Sequence, residues 1–332
     1  MTKIITINPL NIDMDLLSQA ADVIKHGGLV AFPTETVYGL GADTFNAEAV
    51  ANIFRAKGRP MDNPLISHIA EISELERFAR EIPESALKLS QEFWGGPLTM
   101  ILKKRHGIPD AVTAGLDTVA VRLPSHSIAN ALIKLSGTPI AAPSANLSGS
   151  PSPTTARHCI KDLDGRVDMI IDGGSSMIGI ESTVVDLSGE VPVVLRPGGI
   201  TPEDMRSVIG EVRYSGEVEG APRCPGMKYT HYSPDAQVVV LEDIFAFKEH
   251  TKNGQKVCVI AKNAQKHTFD ADIVYDAGSD DKEYAARLFY LLRKADEDGA
   301  DIIFAQLPEK IGIGVALFNR LYKSAGGTVI YK

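Results

Sequence analysis

The chain has 332 residues, 44% hydrophobic and 23% charged, the composition of a globular protein with filled cores and, at this length, about two domains. Its net charge is −8, from 34 basic and 42 acidic residues, and neither half is net basic, which argues against binding nucleic acid through bulk charge. Cys159, Cys224 and Cys258 are widely separated without a C-x-x-C, so neither a disulfide framework nor a zinc knuckle is indicated. Met1–Leu10 lacks the features of a signal peptide, and no run approaches a membrane span, so the expectation is a soluble cytoplasmic protein with no membrane partner.

In chain order, Leu16, Leu17, Ala20, Val23 and Ile24 recur at helical spacing over Asp13–His26, with Gly27-Gly28 as the stop. Leu29–Phe32 reads as a buried strand running into a loop, Pro33–Asp43, that carries two hydroxyls, a carboxylate and two glycines. A helix over Ala47–Lys57 leads into the turn Lys57-Gly58-Arg59-Pro60, and Pro64–Ile69 is the next strand. Helical patterns around Ser73–Arg80 and Glu84–Phe93 precede strands at Leu98–Leu102 and Thr118–Pro124. A helix at Ile128–Leu135 is followed by a strand, Pro139–Asn146, ending in small residues. Three further strands are expected at Met169–Gly174, Ser182–Leu187 and Val193–Pro197, then a helix at Pro202–Ile209 with Thr201 as its N-cap.

Glycines and prolines punctuate Glu211–Pro234, which shows no sustained period and reads as a linker, although Lys228, Tyr229, His231 and Tyr232 make it rich in cationic and aromatic groups. Alternation then resumes. Strands at Gln237–Leu241, Lys256–Ala261, Ile273–Tyr275, Asp301–Gln306 and Thr328–Tyr331 are separated by helical patterns at Ile244–His250, Tyr284–Ala295 and Val315–Ser324, a small βαβ-type domain. The domain boundaries are therefore set at 1–210, 211–235 and 236–332. Tyr284, Leu288, Leu291 and Leu292 are core at helical spacing.

No P-loop, H-x-x-x-H or H-E-x-x-H is present, and Gly312-Ile313-Gly314 stops short of a dinucleotide fingerprint and reads as a tight turn onto a helix. In the N-terminal half, polar residues gather at strand ends: Thr34 and Thr36, His68, Arg122, Ser144 and Asn146, and Arg196. Ligands bind at such junctions in open α/β sheets. A Lys supplies a mobile point charge and an Arg a rigid fork, so Lys57, Arg59, Arg122 and Arg196 could together hold a triphosphate or a carboxylate. Taken singly, Lys57-x-Arg59 is a solvated basic turn more often than a site, and His68 a satisfied strand histidine.

Lys57-x-Arg59 with Ser144-x-Asn146 and Pro33-Thr34-Glu35-Thr36-Val37-Tyr38-Gly39-Leu40 closely resembles the YrdC-type threonylcarbamoyl-adenylate synthases. So do the blocks from Arg55 through Leu65, Gly115 to Arg122, Glu181 to Asp186, and Leu195-Arg196-Pro197-Gly198. The linker from Pro225 to Pro234 and the trailing domain resemble the long, two-domain form of that family. The resemblance implies an α/β fold: an N-terminal YrdC-like twisted open mixed sheet with helices, followed by a smaller Rossmann-like α/β domain.

It further implies conversion of L-threonine, bicarbonate and ATP to L-threonylcarbamoyl-AMP and pyrophosphate, a product passed to a tRNA threonylcarbamoyltransferase. Direct contact with tRNA is expected to be weak. By the same resemblance Thr36, His68, Arg122 and Ser182 hold threonine, with Arg122 on its carboxylate. Lys57, Arg59, Asn63, Thr118, Ala142, Ser144, Asn146, Ser152, Arg196, His231 and Tyr232 hold ATP, with Lys57 and Arg59 as the catalytic cations and the linker as a lid over the nucleotide. Mg²⁺ accompanies ATP, and no resident metal or organic cofactor is expected. The competing readings are an RNA-binding or ribosome-assembly factor on the same sheet, which the acidic balance disfavours, and a carbamoyl-phosphate-dependent carbamoyltransferase, which would bring zinc-finger cysteines that are missing here.

Overall fold

The computed structural model describes residues 1–214 and 231–331. The described chain groups into two units: residues 1–148, 153–177 and 181–214 in the first, and 149–152, 178–180 and 231–331 in the second. The linker residues 215–230, with Cys224 and Lys228, lie outside the described residues.

The first unit is built on one mixed sheet, eleven strands among the described residues. These are β1 (Lys3–Thr6), β2 (Val30–Phe32), β3 (Gly39–Asp43), β4 (Ile66–His68), β5 (Leu98–Lys103), β6 (Thr118–Arg122), β7 (Ile140–Ala142), β8 (Met169–Asp172), β9 (Thr183–Asp186), β10 (Val193–Arg196) and β11 (Arg213–Tyr214). They lie in the order β1-β8-β2-β3-β7-β4-β6-β5-β9-β10-β11. Its helices are α1 (Met14–Lys25), α2 (Ala47–Lys57), α3 (Glu84–Phe93), α4 (Asp110–Thr113), α5 (Ser127–Ser136), α6 (Ala156–Leu163) and α7 (Pro202–Ile209). Two cores sandwich the sheet. On one face α2, α3, α6 and α7 bury Val50, Ile53, Phe54, Leu89, Cys159 and Met205 with Leu98, Met100, Val121, Val185 and Val194. On the other, α1 and α5 bury Leu17, Ile24, Ile128 and Leu132 with Val30, Ile140, Met169 and Ile171. Each such fully buried aliphatic or aromatic side chain contributes roughly 1.5–3 kcal/mol.

Five elements depart from the sequence reading, among them β1 and α4, which it did not anticipate. Residues 39–43, expected as loop, form β3, antiparallel to both β2 and β7. Glycine is there for close approach: a Cβ on Gly41 would stand 2.5 Å from Ile140 Cγ2 and 2.7 Å from Phe32 Cε1. Arg213–Tyr214, inside the expected linker, pairs with β10. The helix α6, which follows its N-cap Thr155, was not anticipated. The patterns at Ser73–Arg80 and Ile244–His250 are short 3-10 helices, Ile72–Arg77 and Ile244–His250.

The second unit carries β12 (Gln237–Leu241), β13 (Val257–Ala261), β14 (Ile273–Asp276), β15 (Ile302–Gln306) and β16 (Val329–Ile330), with α8 (Asp281–Glu297) and α9 (Ile313–Ser324). The strands run in the order β14-β13-β15-β12-β16, and neighbouring strands pair in parallel, the Rossmann-like arrangement expected. Tyr284, Leu288, Leu291 and Leu292 are buried core on α8, as the spacing indicates. Among the described residues no helix is long and apolar enough to cross a membrane.

Candidate active site

The first unit concentrates buried polar groups on the face that α1 and α5 share. His68 on β4 is registered with Arg122 on β6, and Arg122 in turn with Thr99 on β5. Registered residues project to the same face, so three polar side chains cross the sheet in one row. Two residues away along each strand lie Ile66, Ala120 and Ile101, which join Val184 and Leu195 in a small apolar floor.

The row continues through Ser182, whose hydroxyl lies 2.8 Å from that of Thr99. Arg196 donates from Nη2 to Ser182 Oγ at 3.1 Å and from Nε to Ser182 O at 3.0 Å. Simple alternation would send Arg196 to the opposite face. A register shift between Val194 and Arg196 inserts one residue into β10, so Arg196 pairs with Val184 and is re-aimed to the floor side.

Above Arg122 sits the loop between β2 and β3. Thr34 Oγ1 donates to Val37 O at 2.6 Å and accepts from the amides of Thr36 and Val37, which makes the loop a tight hydroxyl-braced turn. From this loop Thr36 Oγ1 accepts from Arg122 Nη1 at 2.9 Å, and Glu35 Oε1 accepts from Arg122 Nη2 at 2.6 Å. Arg122 is 4% exposed and Glu35 0%, so this is a fully buried ion pair. Burial pushes the Glu35 carboxyl upward, but the charge and hydrogen bond of Arg122, with backbone N–H groups of Glu35 and Ser125, outweigh it and hold the group below its ordinary range.

His68 Nδ1 faces Ile140 O at 3.3 Å, an acceptor, so that nitrogen carries the proton and Nε2 keeps its lone pair. Burial and the neighbouring Arg122 cation, only partly opposed by Glu35, lower its pKa to about 3. The ring is neutral at physiological pH.

A second cluster forms where α2 ends. Gly58 adopts φ +62° and terminates the helix, leaving Lys57 as its last residue. Lys57, 3% exposed, donates from Nζ to Ser144 O at 2.5 Å and Asn146 O at 2.6 Å, and Ser144 Oγ donates to Asn146 Oδ1 at 2.6 Å. The ammonium thereby braces the Ser144–Asn146 loop from beneath. Arg59 stacks over Phe54 at 5.7 Å and donates to Asn63 O at 3.3 Å. The Asn63 carboxamide is wholly buried, and among the described residues neither its oxygen nor its nitrogen has a hydrogen-bond partner.

The sequence-predicted residues thus separate. Thr36, His68, Arg122 and Ser182 come together in one row, joined by Arg196, which had been grouped with the nucleotide residues. Thr118 lies on the same face of β6 as Arg122 but four residues away, about 13 Å along the strand. Ala142 is registered with Ile66, one same-face step from His68, and Ser144 continues in the same direction. Lys57, Ser144 and Asn146 form one cluster, with Arg59 and Asn63 on the adjoining turn. Ser152, His231 and Tyr232 belong to the second unit. There Tyr232 packs against Phe289 of α8 at 5.1 Å and lies 6.0 Å from the Arg320 guanidinium of α9.

Sequence reasoning gave no role to Glu35 or Thr99. The carboxylate between two threonines was a visible signal for the first; nothing in a short alternating strand marked the second. Among the described residues no group of three or more His, Cys, Asp or Glu side chains is placed to hold a metal.

Comparison with known proteins bears on this arrangement. The Sua5/YciO/YrdC family model, described as "Telomere recombination", matches residues 22–198, and a model described as "Threonylcarbamoyl-AMP synthase, C-terminal domain" matches residues 200–326. A threonylcarbamoyl-AMP synthase of Pyrococcus abyssi is 50% identical over 327 residues, covering 94% of this chain and 94% of the relative. The enzyme of that name from Bacillus subtilis is 47% identical over 325 residues, covering 95% and 94%. A crystal structure of P. abyssi Sua5 complexed with L-threonine aligns at a TM-score of 0.94 and 48% identity over 100% of both chains.

Proposed function

The chain belongs to the Sua5/YciO/YrdC family in its two-domain, threonylcarbamoyl-AMP synthase form, and we propose that it converts L-threonine, bicarbonate and ATP to L-threonylcarbamoyl-AMP and pyrophosphate. The observation that carries the reading is the row itself: one buried guanidinium flanked by Thr36, His68 and Ser182, at one end of a face whose other end runs towards Thr118 and the Lys57-braced loop.

In this reading the threonine carboxylate lies on Arg122, and Thr36, Ser182 and the unprotonated Nε2 of His68 orient its hydroxyl and amine. The amine adds to the carbon of bicarbonate, water leaves, and a carbamate forms. A carbamate oxygen then attacks the α-phosphorus of ATP as the bond to the β,γ-diphosphate breaks. This reaction needs alignment and charge neutralisation more than a protein nucleophile. Asn63, Thr118, Ala142, Ser144 and Asn146 receive the nucleotide, while Lys57 and Arg59 raise the positive potential along its phosphates and Lys57 does so by fixing the Ser144–Asn146 loop. Arg196 acts from the threonine side, through Ser182. Mg²⁺ enters as part of the substrate MgATP, consistent with a donor set of cations, hydroxyls and amides.

Ser152, His231 and Tyr232 serve the lid reading: Tyr232 is an anchor in the second unit for a linker that shields a hydrolysable product from water. The product then passes, in the cytoplasm, to a threonylcarbamoyltransferase acting on tRNA. Purified protein supplied with MgATP and bicarbonate should release pyrophosphate when L-threonine is added and not otherwise. Release independent of threonine would overturn the substrate assignment.

A further inference from the structure

The buried cation at the centre of the row is itself held by an anion, and that anion comes from the chain. Three observations converge on Glu35. Its carboxylate is fully buried and bonded at 2.6 Å to Arg122 Nη2. The loop that presents it is braced on both sides, by the Thr34 hydroxyl network and by Thr36 on Arg122 Nη1, so its reach to Arg122 is fixed. It also lies beside Ser125 and His126, the residues that lead into α5, whose N-terminal end favours a negative charge.

A guanidinium buried to this depth without a partner carries a heavy desolvation penalty, and its torsions would relax toward whatever oxygen it could find. Glu35 and Thr36 each take one terminal nitrogen of the fork. Arg122 Nε has no hydrogen-bond partner among the described residues, and each terminal nitrogen keeps a second N–H. A carboxylate arriving at this fork therefore meets donors whose plane is set before it binds. With its charge already compensated by Glu35, Arg122 recognises a carboxylate by geometry more than by net charge.

We propose that Glu35 is a positioning residue for threonine binding, which fixes the plane of the Arg122 guanidinium and touches no substrate itself. The inference rests on the reading that Arg122 holds the threonine carboxylate. It goes beyond that reading by giving the carboxylate-binding arginine a dedicated partner and by assigning the acidic residue of the Thr34-Glu35-Thr36 turn to the amino-acid half of the reaction, with none for it in the nucleotide half.

The test is steady-state pyrophosphate release by full-length protein, with KM for L-threonine and for ATP measured separately in wild type, Glu35→Ala, Glu35→Gln, Glu35→Asp, Arg122→Ala and the Glu35→Ala/Arg122→Ala double variant. Glu35→Ala should raise the threonine KM about tenfold or more and move the ATP KM less than about threefold. Glu35→Gln keeps an acceptor oxygen at the same reach and should recover most of that loss, whereas Glu35→Asp keeps the charge but falls short by one methylene and should not. In the Arg122→Ala background, loss of Glu35 should add nothing to the threonine KM. Equal rises in both KM values, Asp outperforming Gln, or a full additive penalty in the double variant would each overturn the proposal and leave Glu35 a structural or purely charge-balancing residue. Should Glu35→Ala fail to fold, the Gln-against-Asp ranking decides alone. If wild type shows no dependence on threonine, the functional reading has failed instead.

Discussion

The two sheets treat buried polarity differently. At the carboxyl end of the parallel sheet in the second unit, polar groups answer one another: Lys262 Nζ meets Asp281 Oδ1 at 2.9 Å, Asp281 Oδ2 accepts from the Glu309 amide at 2.9 Å, and Gln306 Oε1 accepts from the Lys262 amide at 2.8 Å. Even the turn onto α9 is filled from within, since a Cβ on Gly314 would stand 1.9 Å from Glu309 O and 2.7 Å from Asp281 Oδ2. On the first sheet, Glu35 Oε2, Arg122 Nε and both ends of the Asn63 carboxamide are buried without hydrogen-bond partners among the described residues. Orphaned buried polar groups are costly, so a chain retains them where a ligand completes them. The same kind of α/β edge is largely joined by its own side chains in the second unit, where Tyr284 Oη is nonetheless buried without a partner among the described residues, and is left open at several groups in the first. Fold type alone does not mark a site.

Breaking the open sheet should therefore cost activity, and breaking the closed one should cost stability. The largest effect is expected for Arg122→Ala. The threonine KM should rise about 100-fold with the ATP KM little changed, and removing one partner of a buried pair should lower unfolding free energy by about 3–5 kcal/mol. Parallel kinetics and urea titrations would check both, and equal losses for the two substrates would erase the division of the face into two ends.

Lys57→Met comes next. It keeps the stem and removes the ammonium that braces Ser144 and Asn146, so the ATP KM should rise about tenfold while the threonine KM stays within about threefold. The reverse pattern would place Lys57 at the amino-acid end.

A smaller effect concerns pH. Folded His68 stays neutral down to about 3, whereas the unfolded chain protonates it near the ordinary value of 6.5. Between those values the unfolded state binds more protons, so stability should fall as pH drops through 6.5 towards 3, by at most about 1.4 kcal/mol per unit for this one group. Urea midpoints of wild type and His68→Gln at pH 7.5 and pH 5 would test it, and a wild type no more acid-sensitive than the variant would contradict a neutral buried ring. The smallest effect on turnover is expected in the closed sheet. Asp281→Ala should cost about 1–3 kcal/mol of stability and leave both KM values unchanged within error; a selective loss of threonine or ATP binding would mean that the second unit carries chemistry of its own.

Much of the fold is legible in the sequence. Arg122 ends an expected strand, Thr36 follows one and His68 lies within one, the family resemblance groups them for threonine, and strands of β-branched residues bounded by glycine and proline gave both sheets. What escaped was what depends on contacts across the fold. β3 is Gly-Leu-Gly-Ala-Asp, without a β-branched residue, and it is a strand because Phe32 and Ile140 fill the space where glycine side chains would have been. Arg196 sits with Ser182 because a bulge re-aims it, and a bulge has no local sequence signature at Val194-Leu195-Arg196. Thr99 shares an alternating strand with core residues, and only register brings it beside Arg122. Glu35 was visible as a carboxylate in a hydroxyl-rich turn, yet its partner lies 87 residues away. Lys57 was singled out as a candidate phosphate-binding cation at the end of a helix; its burial, and the Ser144–Asn146 loop that it braces, could not be read from Lys57-x-Arg59 alone.

The central claim is that one face of the first sheet holds threonine at its Arg122 end and the nucleotide towards Thr118 and the Ser144–Asn146 loop. A crystal structure of the protein with L-threonine and a non-hydrolysable ATP analogue tests it most directly. The account predicts the threonine carboxylate within hydrogen-bonding distance of the Arg122 guanidinium, Glu35 still on Nη2, and the nucleotide phosphates beside Ser144 and Asn146. Threonine bound away from Arg122, or phosphates occupying the Arg122 fork, would contradict it.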